Sequence, residues 1–223
     1  MLNGSLDYHL FGRRSLLSWT LRYKIACGLA SALLYLHEEW EQCVLHRGIK
    51  SSNVMLDSNF NVKLGDFGLA RLMHHEIGPQ NTVVAGTLGY LDPKYMTTGR
   101  ISKELDVYSF EVVALEIATG RKLVDKQSEK GLVEWVWDLY GNGEFLSILK
   151  QVECLMIIGL WCAHLDWNLR PSIRQANRAL SFETDFPQLP KKKKKPIAMY
   201  YVPSSPWISA HECLVASSST NVG

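Results

Sequence analysis

Apolar residues recur at helical spacing from Leu21 through Ile25, Leu29, Leu33 and Leu36, behind a serine, Ser18, suited to an N-cap. The spacing predicts a helix ending near His37. From Cys43 to Leu64 the pattern breaks into apolar pairs, Val44-Leu45, Val54-Leu56 and Val62-Leu64, separated by turns such as Asp57-Ser58-Asn59, which predicts short strands around a loop. Residues 65 to 100 are rich in Gly, Thr and His without periodicity, and read as one long ordered loop of the kind that usually carries function. Val107 to Ala118 is apolar nearly all round and stops at Gly120, which predicts a buried helix closed by a C-cap glycine. Further helices are predicted at Leu132 to Tyr140, at Gln151 to Ala163, and from Pro171, a residue suited to a first helical turn. After Phe182 the composition turns to Pro, Lys, Ser and Thr, so residues 183 to 223 read as a flexible tail.

Composition narrows this picture. With 223 residues and 47% hydrophobic content the chain belongs to the globular class. Its longest apolar run, Cys154 to Ala163, is far shorter than the ~18 residues a bilayer span needs, and the polar start Met1-Leu2-Asn3-Gly4-Ser5 is no signal peptide. Five cysteines, without a C-x-x-C pair or His neighbours at ligand spacing, indicate neither a disulfide framework nor a zinc site. Residues 183 to 223 hold five basic residues, all in Lys191 to Lys195, and three acidic ones. Subtracted from totals of 24 and 22, this leaves 19 of each sign in residues 1 to 182, a neutral body that is not expected to bind nucleic acid.

The chemistry concentrates in one ordered set. His46-Arg47-Gly48-Ile49-Lys50-Ser51-Ser52-Asn53 is followed by Asp66-Phe67-Gly68, then by Gly86-Thr87-Leu88-Gly89-Tyr90, Asp106-Val107-Tyr108-Ser109-Phe110 and Arg170-Pro171-Ser172. The first two resemble the catalytic loop H-R-D-x-x-x-x-N and the D-F-G of protein kinases. The stretch from about Asn3 to Phe182 resembles the C-terminal lobe of a plant receptor-like serine/threonine kinase. Ser18-Trp19, Leu36-His37-Glu38-Glu39-Trp40, Ala118-Thr119-Gly120-Arg121, Gly159-Leu160-Trp161-Cys162-Ala163-His164 and the tail's Met199-Tyr200-Tyr201-Val202-Pro203 carry the resemblance toward the L-type lectin-domain receptor kinases.

Phosphoryl transfer is largely positioning and charge neutralisation around ATP and Mg²⁺. The resemblance implies that Asn53 and Asp66 supply oxygen ligands to Mg²⁺, a hard ion, and that Lys50 neutralises the transferred phosphoryl group. It also implies serine/threonine specificity from Lys50, loop orientation by Thr87, a phosphosite at Thr82 opposite Arg47, and an Asp106 that accepts hydrogen bonds from the catalytic-loop backbone.

Several positions depart from the family. Gly48 stands where the family has the aspartate that takes the proton of the substrate hydroxyl, a contribution worth roughly 10² to 10⁴ in rate. The 45 residues before His46 hold no G-x-G-x-x-G, and their only lysine, Lys24, lies on the first predicted helix. Lys94 replaces a glutamate that pairs in the family with the arginine matched by Arg170, a change expected to set two like charges together at a cost of ~3 to 5 kcal/mol. Glu111 occupies a glycine position on the apolar helix, and the segment from Gly141 to Gln151 is shorter than the family pattern.

The expected fold is therefore a mainly α, kinase-like C-terminal lobe at residues 1–182, with a small β element at the catalytic loop, no N-terminal lobe, and a Lys-rich tail at 183–223. The expected function is that of a truncated receptor-like serine/threonine kinase, impaired because the N-lobe and the catalytic Asp are absent. The alternative is a non-catalytic module that competes with full-length receptor kinases for partners. Protein substrates or receptor kinases are the partners this implies, and the place is the cytoplasm. For Lys191 to Lys195, contact with the anionic inner face of the plasma membrane, a nuclear address and plain solvation all remain open.

Overall fold

The computed structural model describes residues 2–12, 17–73, 80–123, 130–144, 150–164 and 166–190. Helices dominate. Ser18 caps α2, Trp19–Leu34, its hydroxyl accepting from Leu21 N, and the helix continues as a wider π turn over Tyr35–Glu39. Helix α1, Leu6–Phe11, precedes it. At six residues it is too short for a periodic signal, and the sequence reading missed it.

The predicted strands form β1 (Cys43–Leu45), β2 (Val54–Leu56) and β3 (Val62–Leu64), with β2 and β3 paired antiparallel, Val54 opposite Leu64. The stretch 65–100 is not one loop. It contains β4, Arg71–Met73, which pairs with β1, then β5, Gln80–Asn81, and helix α3, Pro93–Thr98; β5 pairs with β6, Arg100–Ile101. Strands this short have no period to read, and β4, β5 and β6 show only through their partners.

Helix α4, Lys103–Thr119, is the axis of the molecule, buried continuously from Leu105 to Ile117. Gly120 closes it at φ +67°, a conformation that costs an L side chain ~1 to 2 kcal/mol. Against α4 lie α2, α5 (Leu132–Gly141) and α6 (Lys150–Cys162). Gly159 permits the close approach of α6: a Cβ there would stand 2.6 Å from a Leu115 methyl. Helix α7, Ile173–Leu180, packs on α2 and α6. It starts two residues later than Pro171 suggested, because Ser172 and Gln175 form a reciprocal capping box that fixes the first turn.

The chain does not leave the body at Phe182. Phe186 packs against the core, Leu189 is buried, and the Tyr140 hydroxyl bonds both the N–H and the carbonyl of Leu189. The lysine run 191–195 and the middle of the shortened segment, 145–149, lie outside the described residues. Among the described residues no helix is long and apolar enough to cross a membrane.

Candidate functional site

The site is assembled around Asp106, in the first turn of α4 and fully buried. One carboxylate oxygen accepts from the His46 backbone N–H at 2.7 Å and from His37 Nε2 at 3.0 Å; the other accepts from Arg47 N–H at 2.8 Å. Because a carboxylate is an acceptor, His37 carries its proton on Nε2. This clamp holds Arg47 in the left-handed region at φ 63° and sets the path of the loop that follows β1. His46 is fixed as well, its Nε2 bonded to Gly65 O at 3.0 Å, its Nδ1 accepting from Gly48 N–H, and its ring edge-on to Phe67 at 4.6 Å.

Beyond the clamp the loop brings together residues distant in sequence. The Asn53 amide donates to Gly48 O at 2.8 Å and to Asp66 Oδ2 at 3.2 Å, and Asp66 itself is held at φ 62°. Lys50 Nζ reaches Thr87 Oγ1 at 3.5 Å. So the structure gathers Gly48, Asn53 and Asp66 into one corner, with Lys50 and Thr87 beside it. Among the described residues no group of three or more His, Cys, Asp or Glu side chains could enclose a metal. The Asn53 and Asp66 pair nevertheless suits Mg²⁺, which needs only one or two protein oxygens and keeps water and phosphate oxygens for the rest.

Sterics do not require a glycine at position 48. Its φ is not positive, and an added Cβ would meet His46 Nδ1 at 3.5 Å and Asp66 O at 3.7 Å, both ordinary contacts. Gly48→Asp is therefore expected to shift unfolding free energy by less than about 1 kcal/mol, read by urea denaturation. A larger loss would show that the glycine is required by the fold.

Two expectations are corrected. Lys94 and Arg170 do not face each other as like charges. The buried Arg170 guanidinium makes a two-pronged bond to Asp92, with Nη2 to Oδ1 at 2.9 Å, and Lys94 Nζ lies 3.3 Å over the Trp167 ring. Asp92 also caps α3 by accepting from Lys94 N–H. The Arg47 guanidinium is not directed at Thr82. It donates to Leu69 O, Val83 O and Tyr95 OH, while Thr82 is tied through its backbone N–H to Gly99 O. Glu111 is fully buried. Burial, and after it the Glu111 charge, push the Cys162 thiol up, while for Arg170 desolvation is outweighed by the hydrogen bond and charge of Asp92, with a smaller addition from Glu111, so that its pKa is raised.

Sequence reasoning overlooked Asp92 and Glu116. An aspartate directly before proline is an N-cap signal and marked Asp92. Glu116, buried near the end of α4, accepts from Tyr90 OH at 2.9 Å and from Leu123 N–H at 3.1 Å, and Tyr90 OH sits 3.4 Å from Ser51 OH. Burial pushes the Glu116 carboxyl up to about 7, against the opposing pull of the Leu123 and Tyr90 hydrogen bonds. Its folded pKa lies above its unfolded one, so the folded state favours the protonated acid. That stabilisation is complete below the ordinary glutamate range and is lost as pH rises through about 7. Relative to Glu116→Gln, the natural protein should lose about 2.5 kcal/mol between about pH 5 and pH 8. Parallel pH slopes in urea denaturation of the two proteins would contradict this.

The chain is similar to known proteins along most of its length. Residues 1–179 match the protein kinase domain family. The chain is 61% identical over 221 residues to L-type lectin-domain containing receptor kinase IX.1 of Arabidopsis thaliana, a match covering 92% of this chain and 34% of that protein. To kinase IX.2 of the same plant it is 52% identical, covering 99% of this chain and 36% of that protein. Kinase VIII.1 is 44% identical over 86% of this chain. The chain thus spans about a third of the length of these relatives.

Proposed function

The chain belongs to the protein kinase domain family, and from that membership we propose that residues 1–182 form the substrate-side, C-terminal lobe of a receptor-like serine/threonine kinase that does not transfer phosphate by itself. The observation that carries this reading is Gly48. The Asp106 clamp and the Asn53 and Asp66 pair are in place around it, yet no carboxylate stands where the loop would accept the substrate's proton. ATP and Mg²⁺ are the ligands that family membership implies. Asn53 and Asp66 would hold the metal, which would supply neutralisation of phosphate charge, and Lys50 would face the transferred group.

Support for the inert reading is quantitative. A positioned base contributes roughly 10² to 10⁴, and position 48 supplies none. The purified protein, incubated with labelled ATP, Mg²⁺ and a generic protein substrate, should show no phosphotransfer above the Asp66→Ala background. Clear labelling abolished by Asp66→Ala would overturn the proposal.

A second reading, a non-catalytic module that competes with receptor kinases for partners, is favoured by the rigid build of the Gly86 to Tyr90 segment. Gly86 sits at φ +142°, where a Cβ would collide with Leu91, and the Ser109 hydroxyl bonds Tyr90 O at 2.7 Å. Saturable capture of receptor kinase domains by the immobilised protein is the result expected of such a module. A plasma-membrane contact through Lys191 to Lys195 would add to either reading, and liposome flotation with the lysines replaced by serine tests it.

A further inference from the structure

A cavity of about 370 Å³ opens between the π turn that ends α2, the first turn of α4 and the stretch leading into α7. That volume suits a small ligand. Val107, Trp167 and Pro171 give it an apolar wall, and His37, Lys103 and Glu104 a polar one. Glu38 and Arg170 also reach it, but each is already matched, by Arg174 and by Asp92. Lys103 and Glu104 are not: both are half-buried, and among the described residues neither side chain has a hydrogen bond or an ion pair. His37 is fully buried, and because its Nε2 proton goes to Asp106, its Nδ1 is an acceptor, left without a partner among the described residues. Buried polar atoms in folded proteins nearly always have one. Ser102, the N-cap of α4, contributes no side-chain bond to that helix end, so the positive end of a 17-residue helix lies beside Lys103 with no side chain capping it.

We propose that this cavity binds a free α-amino acid with an apolar side chain. The carboxylate meets Lys103 at the positive end of α4, the ammonium donates to Glu104 and to His37 Nδ1, and the side chain covers Val107, Trp167 and Pro171. Unpaired groups of both signs in one cavity select a zwitterion. A plain carboxylic acid would leave Glu104 and the histidine acceptor unmatched, and a plain amine would leave Lys103 so. Trp167 supplies apolar area rather than a seat for charge, since Lys94 Nζ already lies over its ring. The site is separate from the Gly48, Asn53 and Asp66 corner, and it holds whether or not the protein transfers phosphate. Its occupant would nevertheless be felt at the loop, because His37 is shared with the Asp106 clamp.

The test titrates the full chain, by calorimetry, with L-phenylalanine, with 3-phenylpropanoate, which lacks the ammonium, and with 2-phenylethylamine, which lacks the carboxylate. Phenylalanine should bind saturably at one site with a Kd of about 1 mM or tighter, and the other two at least about tenfold more weakly. At ten times its Kd it should raise the thermal midpoint by about 3 to 6 °C. Lys103→Met should weaken phenylalanine to the level of the amine, and Glu104→Gln to the level of the propanoate, with unliganded midpoints close to the parent's. No saturable binding of phenylalanine up to about 20 mM overturns the proposal. So does equal affinity for all three compounds, or phenylalanine binding that Lys103→Met leaves undiminished. Should either variant fail to fold, the three-compound comparison on the natural protein decides alone.

Discussion

Asp106→Ala is expected to lower the unfolding free energy by about 4 kcal/mol or more, most of the margin of a domain at the low end of ordinary stability. The substitution removes one carboxylate but orphans three donors, the His46 and Arg47 backbone N–H groups and His37 Nε2, in a place without solvent. Each buried donor left unmatched costs about 1 to 3 kcal/mol. The loss also frees Arg47 from its left-handed conformation, so the loop bearing Gly48 and Lys50 would no longer be held toward Asn53 and Asp66. Asp106→Asn keeps one acceptor and turns the other into a donor, so it should fall between the natural protein and alanine. Urea denaturation followed by circular dichroism measures all three. An alanine variant within about 1 kcal/mol of the parent would show that the clamp is ornamental.

The second large effect concerns Asp92. Asp92→Ala should cost about 3 to 5 kcal/mol, because it strands the Arg170 guanidinium, whose side chain is only 1% exposed, without its carboxylate. Loss of the α3 N-cap contributes about 1 kcal/mol of that. Lys94→Glu alone should change little, since Arg170 already has a partner and only the contact with Trp167 is given up. In the Asp92→Ala background, however, Lys94→Glu should recover part of the loss by offering Arg170 a new carboxylate. A double-mutant cycle reads this directly, and strict additivity would mean that position 94 cannot reach Arg170.

These two sites differ in how far the sequence exposed them. The ordered motifs made Asn53, Asp66 and Asp106 visible as a set, while α2 followed from a period long enough to count, α4 from an unbroken apolar run, and β2 and β3 from apolar pairs set between turns. Legibility failed where information is non-local. Arg170 and its carboxylate are 78 residues apart, and although Asp before Pro is a local N-cap signal, nothing in the local pattern ties Asp92 to Arg170. The same holds for β4, β5 and β6, whose few residues acquire meaning only from partners such as Val44 opposite Leu72. Glu116 was hidden differently, as a carboxylate inside an apolar helix whose need for Tyr90 and Leu123 appears only once the chain has turned back on itself.

The clasp of Tyr140 on Leu189 bears on how the protein should be handled and trimmed. Composition places the end of the folded unit at Phe182, but cutting there would strip Phe186 and Leu189 from the apolar surfaces they cover and leave Tyr140 without its partner. Pro190 is the last described residue, and the next five are all lysine. Limited digestion with trypsin would meet its first cleavable bond beyond the clasp just past Pro190, so the lysine run can be removed while the seal stays closed. An expression gene for the globular part should accordingly stop after Pro190, and one stopped eight residues earlier should give a product prone to precipitate through its opened flank.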